Sequence, residues 1–170
     1  MGVYDVVVKR RSIRRYRKEP IPNEHLKMIL DAARLAPSAG NRQPWHFVVV
    51  TDEKLKRKLV DACMGQSFIA DAYCVVVGLG DREISPKWCV VDTTIAMEHM
   101  VLVATDLGYG TCWIGAFDEG KVRELLKIPD RYVVVALLTI GVPDESPPPR
   151  PRKSLREITS RDVYGRPLEL

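Results

Sequence analysis

The sequence predicts one α+β domain, and three observations carry that prediction. Apolar runs of strand length (WHFVVVT at 45–51, YCVVVGL at 73–79, YVVVALLTIGV at 132–142) are separated by segments with helical apolar spacing. The chain has 170 residues, 46% hydrophobic and 28% charged, the balance of a globular protein able to bury one core. No internal repeat or interdomain linker divides it; the one proline-rich stretch, PDESPPPRPR, comes near the end. A single domain over 1–170 is expected, with a C-terminal arm from about 147.

Taken in order, the first helix is expected through EHLKMILDAARLA, with Asn23 as its cap. Leu26, Ile29, Leu30 and Ala33 fall on one face, and Pro37 forces the chain out of the helix. Ser38 to Pro44 is a small polar loop, and 45–51 reads as a buried strand. EKLKRKLVDAC, 53–63, is a surface helix, followed by a second buried strand at 73–79. Residues 92–107 are apolar nearly all round, which predicts a central buried helix whose polar exceptions, Glu98 and His99, are satisfied core or interface groups. Gly108 to Gly110 closes it, and TCWIGAF gives a short strand and turn. Asp118 caps a helix to about Lys127, and 132–142 is the longest strand. Residues 155–170 have too little apolar content to stand alone, so they form an arm laid on something else.

Charge sharpens this picture. Residues 9–18, KRRSIRRYRK, carry seven basic groups and no acidic one; 147–170 carry six basic and three acidic. The body between is left with 13 basic against 19 acidic residues. A nucleic-acid binder usually spreads its charge in one broad stripe. Two basic ends on an acidic body suit a compact anion held where the ends meet.

Several chemistries lack their signatures. Cys63, Cys74, Cys89 and Cys112 form no CxxC pair, and with three histidines no zinc spacing appears, so buried free thiols and no metal are expected. Gly78-Leu79-Gly80 follows a strand, but Glu83 stands where a dinucleotide fingerprint needs glycine; Gly108-Tyr109-Gly110 has its elements reversed. No GxSxG or P-loop occurs. No apolar run approaches a bilayer span, and the first residues lack a signal-peptide core, so a cytoplasmic protein is expected.

Three unusual polar stretches remain: RRSIRRY, LAPSAGNRQPWHFVVV and GYGTCWIGAF. In this order and spacing, over about residues 8 to 156, they resemble the FMN-dependent nitroreductase family. The resemblance implies a nitroreductase-like fold: a central mixed sheet flanked by helices, in an intertwined homodimer with exchanged C-terminal arms and FMN at the interface. It implies that Arg10, Arg11 and Ser12 serve the flavin phosphate and ribityl chain, with Arg14 near the ring, chemistry suited to guanidinium and hydroxyl donors. Pro37, Ser38 and Ala39 match a loop reaching the flavin from the partner, with Asn41 and Gln43 offering amides. Gln66 matches an amide near the pyrimidine edge. Trp113, Ile114, Gly115 and Ala116 match the segment over the far face, the Gly115 amide near flavin N5. Arg152 and Lys153 match a basic pair closing on the phosphate, with Arg150 as a substitute. Trp45 is expected in the core, and Trp88 near the acceptor, where larger relatives carry an insertion.

The resemblance further implies a ping-pong oxidoreductase in which NAD(P)H reduces FMN and a nitroaromatic, quinone or similar acceptor reoxidises it. No catalytic side chain is expected, because the chemistry belongs to the cofactor. Two alternatives stay open: another reaction on the same flavin fold, dehalogenating or flavin-destroying, and a flavin-binding protein without turnover. Neither nucleic acid nor membrane is an expected partner.

Overall fold

The computed structural model describes residues 2–169. Leu170, the last residue of the expected arm, and Met1 lie outside the described residues. The elements run α1 (Val3–Lys9), β1 (Tyr16–Arg17), α2 (Asn23–Arg34), β2 (Trp45–Val50), α3 (Glu53–Ala62), α4 (Phe68–Asp71), β3 (Cys74–Asp81), α5 (Cys89–Asp106), β4 (Gly110–Ile114), α6 (Glu119–Leu126), β5 (Tyr132–Pro143) and α7 (Leu155–Ile158). The strands form one five-stranded sheet ordered β1-β5-β3-β2, with β4 also paired to β5. Every ladder is antiparallel. The mixed character of the sheet comes from one isolated parallel bridge, Ser12 with Thr111.

Both faces of this sheet are covered, so its central strands are apolar throughout rather than alternating. Along β3, Val76 joins a core under α2 and α5, while Val75, Val77 and Leu79 join a second core under α3 and α6. On β5 the register shifts opposite Gly78 and Leu79. The extra residue reverses the strand's parity, so Val134 faces the second core while Ala136, Leu138 and Ile140 face the first.

Helix α5 depends on two glycines of β3. A Cβ at Gly78 would lie 2.2 Å from Met97 Sδ, and one at Gly80 would lie 3.0 Å from the Cys89 carbonyl oxygen. The glycines that look like a nucleotide signal are therefore packing glycines. In one chain α5 buries a single stripe that includes Ala96, Met97, Met100, Val101 and Ala104, and Val90 and Val91 remain exposed. The expectation of a centrally buried helix over 92–107 holds, with Ile95, Val103 and Leu107 half-buried against the first core; the helix begins earlier than expected, and its first turn exposes Val90 and Val91.

Three other expectations change. Asn23 is the first residue of α2, not its cap, because extended Pro22 takes the cap position and no side chain caps the helix. The strand β2 is half-buried, since it is the sheet's edge beyond β3. In α3, capped by Asp52 accepting from Leu55 N–H, the surface reading fails at Lys56. Its buried ammonium donates to the Ala72 carbonyl at 2.6 Å and pairs with Glu53 at 2.7 Å. The Asp118 cap of α6 is as expected, accepting from Lys121 N–H at 3.0 Å. Glu98 and His99 are satisfied, by the Trp113 indole N–H and by the Ala32 carbonyl. Trp45 packs half-buried against the first core.

All four cysteines are free and buried. Burial pushes the Cys63 thiol up to about 11 and Cys74 up to about 12. Thiolate is the reactive form, so at pH 8 the native protein should react with an aromatic disulfide far more slowly than the denatured chain, which should release four equivalents. Fast native release would contradict this packing. At Gly141 a Cβ would meet the Tyr16 ring at 2.7 Å and the Tyr73 backbone nitrogen at 3.1 Å. Gly141→Ala should therefore cost about 1–3 kcal/mol by overpacking, read as a lower midpoint in urea.

Candidate functional site

The basic stretch 9–18 is held to the sheet by its two apolar members. Ile13 and Tyr16 are buried and share a small cluster with Ala72. Ile13 lies over Gly110, where a Cβ would come within 2.8 Å of it, and Tyr16 lies over Gly141. The Tyr16 hydroxyl donates to the Ile13 carbonyl and shares a 2.7 Å hydrogen bond with Thr139. Ile13 N–H donates to the Thr111 carbonyl at 2.9 Å. Only glycine at 110 and 141 leaves room for this seating.

With the backbone fixed there, the arginines point outward and meet the other basic end. Arg10, Arg11, Ser12, Arg14, Arg150 and Arg152 line one pocket of about 540 Å³, walled by prolines of the tail and by Val7 and Val8. The tail is latched in place at its root. Asp144 N–H donates to the Arg15 carbonyl, and Glu145 accepts from Arg14 N–H. Arg11 turns back to the carbonyls of Val8 and Arg10, at 2.7 and 2.8 Å. The guanidinium groups of Arg10, Arg14 and Arg150 have no carboxylate partner among the described residues. Unneutralised guanidinium groups around one hydroxyl suit a compact dianion. Lys153 is exposed and does not line the pocket; Arg150 does, in its stead.

The segment after β4 is a second part of the site. The Ser12–Thr111 bridge sets the basic stretch beside this strand. From Thr111 to Gly115 an extended chain runs about 13 Å. Gly115 and Ala116 are exposed. A Cβ at Gly115 would meet only open space, so the backbone there is approachable. Ile114 is buried in the second core and offers no side chain. Trp113 is half-buried, its indole donating to Glu98 at 3.2 Å. Gln66, fifty positions earlier, donates its amide to the carbonyls of Cys63 and Ala116, at 2.9 and 3.2 Å. With its nitrogen so occupied, Gln66 presents its carbonyl oxygen.

The loop 37–43 is built apart from this pocket, whose lining does not include it. Gly40, Asn41 and Gln43 have φ of 59°, 53° and 50°. For Gln43 that conformation costs roughly 1–2 kcal/mol, and for Asn41, whose short amide suits the left-handed region, it costs less. Ser38 Oγ accepts from Gln43 N–H at 2.9 Å, and the buried Asp92 carboxyl accepts from Ala39 N–H at 3.2 and 3.3 Å. Trp88, 41% exposed with Lys87 over its ring, stands at the cap of α5, one turn before Asp92.

Sequence reasoning found the arginines and missed what holds them: Ile13, Tyr16, Gly110, Gly141 and Glu145. The apolar pair at i and i+3 inside a basic run was the available signal. Among the described residues no group of His, Cys, Asp and Glu could hold a metal, and no helix is long and apolar enough to cross a membrane.

Comparison with known proteins identifies the family. The family model described as the nitroreductase family matches residues 7–84 and 65–142. An Archaeoglobus fulgidus protein, provisionally named NADH dehydrogenase/NAD(P)H nitroreductase, is 37% identical over 82% of this chain and 84% of its own. A nitroreductase family protein from Clostridium novyi is 40% identical, with a TM-score of 0.80 over 98% of this chain and 97% of its own. An FMN-dependent nitroreductase from Clostridium difficile is 30% identical, with a TM-score of 0.85 over 94% and 98%.

Burial raises the Tyr16 hydroxyl above its ordinary range. A group raised in the folded state stabilises below its unfolded value and loses that contribution as pH climbs through the folded one. Tyr16→Phe should cost about 1–2 kcal/mol at pH 7. It should also lose less stability than the wild type between about pH 10 and 11. Parallel losses in that window, followed by thermal unfolding, would remove Tyr16 from this role.

Proposed function

This chain belongs to the nitroreductase family, and from that premise we propose that it is an FMN-dependent oxidoreductase that passes electrons from NAD(P)H to nitroaromatic, quinone or similar acceptors. The convergence of the two basic ends in one pocket is the observation that carries the reading. Bound FMN supplies a ring that accepts and donates hydride; the chain supplies binding, orientation and electrostatics.

The residues fit that group. Arg10, Arg14, Arg150 and Arg152 hold the phosphate by charge-assisted hydrogen bonds, and the Ser12 hydroxyl donates beside them. Arg14 also favours negative charge gathering on the ring's polar edge. Gly115 N–H has no partner among the described residues, and it would serve the ring's hydride-accepting position. Gln66 offers its carbonyl oxygen to the pyrimidine edge, which carries an N–H donor. Reductant and acceptor occupy the same open face in turn, so no side chain needs to act as acid or base.

The exposed apolar surface supports a homodimer. Val90 and Val91 on α5, Val3, Tyr4 and Val7 on α1, and Leu155 and Ile158 on the arm are all uncovered in one chain. A second copy would cover them and bring its 37–43 loop, with Ser38, Asn41 and Gln43, to the flavin bound by the first chain. That assignment accounts for a loop that is strained and tethered yet outside the pocket of its own chain.

The purified protein is expected to be yellow, bleached by NAD(P)H without oxygen, and recoloured by a nitroaromatic or quinone. Yellow protein that NAD(P)H leaves unbleached would replace the enzyme with a flavin-binding protein. Recolouring by a halogenated aromatic alone would move it to a dehalogenating reaction. Arg10→Ala should weaken FMN binding about tenfold or more, since a charge-assisted hydrogen bond contributes about 1.5–3 kcal/mol. Unchanged affinity by fluorescence titration would count against the phosphate assignment.

A further inference from the structure

Asp92 is 3% exposed, in the first turns of α5, with both carboxyl oxygens turned toward one backbone N–H, that of Ala39. A buried carboxyl costs free energy unless its partner repays the lost hydration. Here the partner belongs to a loop 53 positions earlier that holds two non-glycine residues at positive φ. Among the described residues the loop's other hydrogen bonds are internal: Asn41 N–H on the Ser38 carbonyl at 2.9 Å, Gln43 N–H on Ser38 Oγ, Gln43 Nε2 on the Asn41 carbonyl at 3.3 Å, and the Arg42 N–H and guanidinium on the Ala39 carbonyl, each at 3.3 Å. None of these ties the loop to another element. The Asp92 bond does, and it ties it to the helix whose seat on β3 is fixed by Gly78 and Gly80.

We infer that Asp92 is a positioning residue for the flavin site: by holding Ala39 N–H it fixes the 37–43 loop in its strained form, with Ser38, Asn41 and Gln43 aimed outward before any ligand arrives. The inference rests on the assignment of that loop to FMN. Its physical content is preorganisation. Without the tether the loop relaxes out of the left-handed conformations, and part of the binding free energy is then spent on restoring them. Asp92 is buried and its carboxyl is engaged with Ala39 N–H, so its effect on the site is exerted through the loop.

Two measurements on the full-length protein test this. In the absence of FMN, hydrogen exchange at the Ala39 and Gln43 amides reports the tether directly; FMN titration by fluorescence reports its consequence. Asp92→Ala should speed exchange at both amides and weaken FMN binding about tenfold, the scale of one lost hydrogen bond to a carboxylate. Asp92→Asn keeps one accepting oxygen and should recover most of both effects. Asp52→Ala, which removes the cap of α3 and lowers stability elsewhere, should leave FMN affinity unchanged. If Asp92→Ala does not fold, Asp92→Ser, whose hydroxyl is too short to reach Ala39, carries the same two readouts.

Faster exchange with unchanged FMN affinity overturns the inference and leaves the functional reading intact. Unchanged exchange overturns it as well. Equal weakening by Asp52→Ala reduces Asp92 to general stability and overturns it too. A wild-type chain that binds no FMN overturns the functional reading, and this inference with it.

Discussion

The close approach of helix α5 to strand β3 is the constraint on which the remaining structure depends. It needs glycine at 78 and 80, because Met97 and the Cys89 backbone occupy the space where side chains would stand. Helix α2 packs on α5 in the first core, and the sheet's other face closes under α3 and α6. Interiors are packed like crystals, so a helix seated this closely cannot shift without moving both layers. Asp92 and Glu98 ride on that helix, and through them its position reaches the 37–43 loop and Trp113.

The basic stretch uses the same device on a smaller scale. Gly110 and Gly141 leave hollows on the sheet that Ile13 and Tyr16 fill. Two buried apolar side chains thereby determine where the flanking arginines stand. The arrangement separates tasks: burial supplies the anchoring free energy, and the charged groups stay unneutralised for a ligand. Had Arg10 and Arg14 been paired with carboxylates, the pocket would hold its shape and lose its attraction for an anion.

Legibility in the sequence followed the range of the interaction that decided each feature. The cap at Asp118, the three long strands and the buried thiols depend on neighbours close in sequence or on simple apolar content. Helices α1 and α4 have seven and four residues, too short for periodicity to declare them. The edge position of β2, the parity reversal on β5 and the burial of Lys56 each depend on a partner that local pattern cannot name. In the candidate site the arginines were legible as charge, and the motifs as a family likeness. That Arg150 rather than Lys153 reaches the pocket was not, since basic residues a few positions apart in a proline-rich tail differ only in the direction they face.

The sequence by itself determined the class of fold, the family, and the gathering of basic charge at two ends of the chain. Composition and residue order suffice for those, because they depend on how much is apolar, at what spacing, and with what charge. Only the tertiary structure decided which groups are free to bind. It spends the amide of Gln66 on two carbonyls, buries Ile114, turns Arg11 back onto α1 and leaves Arg10, Arg14 and Arg150 without a carboxylate partner among the described residues. The physical reason is that hydrogen-bonding capacity is exhausted locally, by whatever atoms the fold brings within about 3 Å, and that proximity is a property of packing rather than of order along the chain.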